Sequence, residues 1–146
     1  MNQYLTMFQQ LGPEKFTQAV CQMAPYFSTV NPTITALEKG FISVELPFSK
    51  EVTNHLGTMH AIALCNAAEL AGCMMTNVSI PEGARWIPKG MEVKYLAKVK
   101  TGIVAIADGR NMDWTQSGDI QVPVSIKDEQ GNEVFTANIT MNVKHD

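Results

Sequence analysis

The sequence predicts an α+β fold, an antiparallel β-sheet packed on one long apolar helix. Three observations predict it. Helical patterning comes first, then two strand-like runs, one long helix, and four more strand-like runs; this segregation favours an antiparallel sheet with a helix on one face. The long helix is built largely from Ala, Gly, Cys, Leu and Met, so a sheet can approach it closely. Turn signals, Lys39-Gly40 and Asp128-Glu129-Gln130-Gly131-Asn132, sit between strand-like runs, where hairpins need them.

Each element has its own signal. Asn2 to Gln10 reads as a short helix ended by Gly12-Pro13, and Pro13 suits the start of a second helix. Phe16, Val20 and Met23 then recur at helical spacing up to Pro25. Tyr26 and Phe27 are expected to pack, and Pro32 closes the section. Thr33–Glu38 and Phe41–Pro47 read as strands; in the second, Ile42, Val44 and Leu46 alternate with Ser43 and Glu45. The long helix is expected from His60 to Asn77, with Pro81-Glu82-Gly83 breaking the chain after it. Four strands follow: Trp86–Lys100, Ile103–Met112, Ile120–Lys127 and Phe135–Lys144. In the first of these, Met91, Val93, Tyr95, Ala97 and Val99 share one parity, and Glu92, Lys94, Lys98 and Lys100 the other. No linker or low-complexity stretch interrupts the chain, so residues 1–146 are read as one domain, with a helical extension over 1–32 and a core over 33–146.

Composition narrows the function classes. A hydrophobic content of 45% is enough for a core without staples, and a net charge of −3 argues against electrostatic attraction to nucleic acid. Leu56 to Ile80 is mostly apolar, but His60, Asn66, Glu69 and Asn77 interrupt it, so a core helix is expected rather than a membrane span. The N-terminus lacks secretory patterning, and Cys21, Cys65 and Cys73 show no C-x-x-C spacing; a cytoplasmic protein with reduced packing cysteines is expected. His55 and His60 lack a third ligand for a metal, and neither a G-x-S-x-G nor a phosphate-loop motif is present. No metal or cofactor is implied.

The chemistry concentrates in one stretch. The polar loop Val52-Thr53-Asn54-His55-Leu56-Gly57-Thr58-Met59-His60 runs straight into Ala61-Ile62-Ala63-Leu64-Cys65-Asn66-Ala67-Ala68-Glu69. Asn and Gly in such a loop supply side-chain hydrogen bonds and a positive φ, the latter expected at Gly57. Glu69 is the only charge in the helix that follows, and a carboxylate buried without a partner is costly. Asn66, Glu69 and Thr76 fall within one helical stripe, with Asn66 and Thr76 supporting Glu69 or a contact between chains. His60 and Glu69 are nine residues apart, so they point about 180° from each other and lie roughly 13 Å apart along the axis. One chain cannot easily bring them to one site; a two-fold dimer can.

Asn54-x-x-Gly57-x-x-His60 with Glu69 nine residues on resembles the hotdog-fold acyl-CoA thioesterases of the PaaI type, in a DUF4442-like branch. Met91–Leu96 followed by Lys100–Ala105 is similar to the strand pair after that fold's central helix, and Asp128–Gly131 to its last hairpin. The resemblance implies a sheet wrapped around the helix, a homodimer or dimer of dimers, and hydrolysis of an acyl-CoA or related thioester to free acid and CoA. It implies Glu69, Asn54 and His60 as catalytic residues, and Gly57, Ala61, Ile62 and Asn66 as substrate-binding ones. Glu69 of one chain would activate water or act as nucleophile; the Ala61 N–H and the helix dipole would polarise the carbonyl. Asn54 would orient water or hold the loop, and His60 would bond the carbonyl or fix the loop.

Two departures from that family pattern stand in this sequence. Ala61-Ile62 replaces the Gly-Gly that usually follows the histidine, and Glu69 stands where many relatives carry Asp. Ala61 keeps the polarising N–H but adds a methyl, and Ile62 either narrows the acyl path or packs. A catalytically weak acyl-CoA-binding or regulatory module is therefore the second reading. A hotdog hydratase or dehydratase is the third; the Asn54 loop argues against it.

Overall fold

The structure is a computed structural model and describes residues 1–145. Its first helix, α1 (Gln3–Met23), is capped by Asn2, whose side chain accepts the Tyr4 N–H at 2.8 Å. The expected break at Gly12-Pro13 is a kink inside this helix, where Gly12 leaves helical geometry and Pro13 brings no N–H. Phe16 and Val20 are buried as their spacing implies, whereas Met23 is exposed. A 3₁₀ turn over Pro25–Val30 follows. Phe27 is half-buried within it, but Tyr26 points outward, 69% exposed, against the packing role expected of it.

Strands β1 (Thr33–Glu38) and β2 (Phe41–Leu46) form the predicted hairpin. The central helix α2 spans Ala61–Ser79, and β3 (Arg85–Tyr95), β4 (Ile103–Asp108), β5 (Gly118–Asp128) and β6 (Glu133–Lys144) complete the chain. All pairings are antiparallel, in the order β1-β2-β4-β5-β6-β3. This is the hotdog arrangement, a sheet wrapped on a central helix. Ala67, Ala68, Ala71 and Met75 of α2 are fully buried against Val44, Val122, Ile139 and Met141 of the sheet. Gly72 shows why small residues fill this helix: a Cβ there would stand 2.6 Å from the Ile139 side chain. By length and composition α2 could cross a membrane, yet it is mostly buried within the fold, as the central helix of a wrapped sheet is.

The strand after α2 departs from expectation. Residues 91–96 and 100–105 are not a pair, because β3 lies on β6 and β4 lies between β2 and β5. The strand ends at Tyr95, where the Leu96 and Ala97 N–H groups both reach the Val134 carbonyl. The chain must then cross the width of β6 and β5 to reach β4, about 15 Å at strand spacing. That crossover carries Val99, buried, whose carbonyl accepts the Met59 N–H at 2.8 Å. The crossover therefore fastens down the polar loop that precedes α2.

β3 is also the exposed edge of the sheet. Ile87, Met91, Tyr95 and Leu96 are 61, 36, 58 and 48% exposed. The opposite edge, β1, is covered instead by α1, whose Thr17 hydroxyl accepts the Ile34 N–H at 2.8 Å.

Candidate active site

The loop before α2 is a small closed unit organised by Asn54. Its side-chain carbonyl accepts the Leu56 N–H at 2.9 Å, the Thr58 N–H at 3.2 Å and the Thr58 hydroxyl at 3.1 Å. Its amide donates to the Thr58 hydroxyl at 2.9 Å. The backbone closes the same ring: the Asn54 N–H donates to the Thr58 carbonyl and the Gly57 N–H to the Asn54 carbonyl. Gly57 takes φ 77, and a Cβ there would touch nothing within 4 Å; the position needs glycine for its backbone angle alone. Of the two roles expected for Asn54, this geometry supplies loop-holding. Thr58, buried and bonded to Asn54 through its N–H and its hydroxyl, carries no sequence signal of its own, because the Asx turn at Asn54 points only to Leu56. Replacing Asn54 with alanine is expected to destabilise the protein by about 1–3 kcal/mol, because the Thr58 donors lose a buried acceptor. Urea denaturation measures it.

His60 forms the N-cap of α2. Its Nδ1 accepts the Ile62 N–H at 3.1 Å, and its own N–H donates to the Val52 carbonyl at 2.7 Å. Because Nδ1 serves as acceptor, the neutral ring carries its proton on Nε2, and that donor is left at the exposed helix start. The Ala63 and Leu64 N–H groups return to the His60 carbonyl. The Ala61 N–H has no partner among the described residues, at the positive end of the helix dipole.

Along α2 one stripe stays out of the core: Ile62, Cys65, Glu69 and Cys73. Glu69 is exposed, which corrects the expectation of a carboxylate buried in its own chain. Ile62, 52% exposed, likewise does not pack within the chain. Thr76 is fully buried, and its hydroxyl donates to the Gly72 carbonyl at 2.7 Å, away from Glu69. Asn66 is different. Its Nδ2 donates to the Thr29 hydroxyl at 3.3 Å, and that hydroxyl already donates to the Tyr26 carbonyl. The amide orientation is thus fixed, and the buried Oδ1 is an acceptor with no partner among the described residues.

Burial disfavours the thiolate of both half-buried cysteines of this stripe. Burial pushes the Cys65 thiol up, although Tyr95 bonds to it. Burial, reinforced by the Glu69 carboxylate, pushes the Cys73 thiol up to about 12. Both stay protonated at neutral pH, and it is the thiolate that attacks.

One chain does not bring the predicted groups together. His60 and Ala61 stand at the start of α2; Glu69 lies two turns on, across the same helix surface that β3 leaves open. Two larger cavities lie elsewhere, one of about 720 Å³ beside Phe48 and Lys100 and one of about 540 Å³ beside Asn2 and Lys39.

Residues 12–143 match the model of a family described as a domain of unknown function, DUF4442. The chain belongs to this family. A crystal structure of a genomics target is 48% identical, with a TM-score of 0.91 over 99% of this chain and 98% of that one. A thioesterase from Haemophilus influenzae is 16% identical, with a TM-score of 0.76 over 88% of this chain and 90% of that one. A probable thioesterase from Pseudomonas aeruginosa is 20% identical, with a TM-score of 0.76 over 86% and 91%. No curated protein matches the chain. The DUF4442 chain thus shares the hotdog fold of thioesterases, and its relation to those two is one of fold.

Proposed function

We propose that this DUF4442 protein hydrolyses an acyl-CoA thioester at a site shared by two copies of the chain. The observation that carries this reading is the exposed Glu69 stripe of α2 beside the apolar edge of β3, where Tyr95 reaches the Cys65 thiol of that stripe. An 11-residue edge strand with exposed Ile87, Met91 and Tyr95 is a template for a second strand. Pairing β3 with its copy across a two-fold axis sets two α2 helices side by side and antiparallel. The start of one helix then faces the middle of the other, and Ala61 of one chain approaches Glu69 of its partner.

The thioester carbonyl oxygen sits against the free Ala61 N–H, with the Nε2–H of His60 as a second donor and Asn54 holding the loop. Glu69 of the partner takes a proton from water, and the hydroxide attacks the carbonyl carbon. The negative charge that develops on oxygen is held by the N–H and the helix dipole. The C–S bond then breaks, the acid leaves with its new hydroxyl, and Glu69 returns the proton to the CoA sulfur. Asn66, buried and bonded to Thr29, braces α2 three residues before Glu69. Gly57 keeps the loop in the shape that exposes the helix start, and Ile62 borders the path of the acyl group.

A panel of acyl-CoA substrates read by free-thiol release tests the reaction, and sedimentation at micromolar concentration tests the assembly, expected at twice the 16.1 kDa chain mass or more. The replacement of Gly-Gly by Ala61-Ile62 favours one other reading, tight acyl-CoA binding without turnover, which the same panel separates. Ala61→Gly is expected to leave turnover unchanged or raise it, because it keeps the N–H and opens the approach. Loss of turnover in a folded Ala61→Gly protein would place the carbonyl elsewhere.

A further inference from the structure

A smaller cavity lies one helical turn beyond Glu69. It measures about 170 Å³, opens to solvent on one side and is lined by α1, the 3₁₀ turn, α2 and the first residues of β3. Tyr4, Met23, Phe27, Leu70, Met74 and Trp86 form most of its wall. Its wall is mostly apolar, with Asn77, the Cys73 thiol and the Tyr4 hydroxyl as its polar groups. The Trp86 indole N–H donates to the Asn77 side chain at 3.0 Å, and the Asn77 carbonyl accepts from the Asn2 amide at 3.1 Å. Most of what faces inward is hydrocarbon, aromatic ring and thioether, a lining that suits an apolar group.

The cavity also has a direction. Leu70 follows Glu69 in the chain, and Cys73 lies one turn on; both line the wall. The Cys73 thiol is close enough to feel the Glu69 charge. Met23, 56% exposed, stands at the mouth. A thioester whose carbonyl is held between the partner's helix start and Glu69 thus has an apolar recess on the Glu69 side of the reacting carbon.

We infer that the cavity between α1 and α2 receives the apolar tail of the acyl group, of about six carbon atoms, a size comparable to the benzene that fills a cavity of about 150 Å³. This rests on the thioesterase reading and adds to it the substrate class: thioesters of medium-length, unsubstituted acyl groups, with polar or charged acyl groups rejected. The helical extension at the N-terminus then serves specificity, because α1 supplies one side of the pocket.

Ala24 tests the pocket. It lines the cavity, is half-buried, and its methyl can be enlarged into the empty volume. Ala24→Leu is expected to lower the preference for octanoyl-CoA over acetyl-CoA, as the ratio of kcat/KM, at least about tenfold, the scale of removing room for one or two methylenes. Val20→Ala, which enlarges the same wall, is expected to move the preference toward decanoyl-CoA. A direct readout accompanies these: calorimetric titration of Glu69→Gln protein with octanoyl-CoA and with CoA alone, octanoyl-CoA binding at least tenfold tighter and Ala24→Leu removing the difference. Unchanged chain-length selectivity in folded Ala24→Leu and Val20→Ala proteins, with hydrolysis intact, overturns the pocket and leaves the thioesterase reading standing. Octanoyl-CoA bound in an Ala24-dependent way by a wild-type protein that never releases CoA keeps the pocket and overturns the thioesterase reading. Octanoyl-CoA that binds no tighter than CoA overturns the pocket.

Discussion

Replacing Glu69 with glutamine is expected to lower thioester hydrolysis at least about 100-fold, the scale of losing a general base. The exchange keeps volume and hydrogen-bonding reach and removes the charge. In the single chain Glu69 is exposed, so stability is expected to move by no more than about 0.5 kcal/mol, as for an ordinary surface position. Substrate binding should persist, because the carboxylate acts on water rather than on the acyl group; the loss then falls in kcat. Single-turnover kinetics beside a denaturation curve separates the two effects. Unchanged turnover in a folded Glu69→Gln protein would reassign the carboxylate to structure and leave α2 without a base.

Ala61→Pro is the sharper test of the other half of the site. Proline is well tolerated at the first position of a helix, where it removes an N–H that no intrahelical partner uses. His60 before it holds φ −62 and ψ 134, a conformation that a following proline permits. The exchange therefore deletes the polarising N–H while keeping the helix and its histidine cap. A fall in kcat of about 10²–10³ is expected, as for loss of one oxyanion donor. The two variants together test the shared site. In a two-fold dimer of one Glu69→Gln chain and one Ala61→Pro chain, one site carries both lesions and the other is intact. Equimolar co-refolding makes half the dimers mixed, so about a quarter of wild-type activity should return. A mixture no more active than either parent would confine the site to one chain and end the argument for partner-supplied Glu69.

Much of the fold was legible because it rests on local patterns. Alternation in Ile42, Val44 and Leu46, the small residues of α2 and the turn at Asp128–Asn132 each report one element's surroundings. The site was legible in its residues but not in their arrangement. Asn54 and Gly57 announce a loop needing side-chain bonds and a positive φ, and that is what they form. That His60 spends its Nδ1 on the helix, fixing which nitrogen stays free, depends on a ring torsion that spacing does not encode.

The residues in order thus specify an inventory: a long small-residue helix, its single carboxylate, the loop that opens it, and the antiparallel sheet that surrounds it. Tertiary structure alone decided who neighbours whom. The periodicity of Trp86–Lys100 reads as one half-buried strand, yet the strand stops at Tyr95 and becomes an edge, because β6 takes one side of it and no strand among the described residues takes the other. The same pairing leaves Ile87 and Met91 in the open. Hydrophobic patterning records that a residue is to be covered, but not by which chain. Strand order is set by contacts far apart in sequence, and covering an edge can fall to a second molecule, so the exposed face of β3 and α2 becomes visible only once the fold is closed.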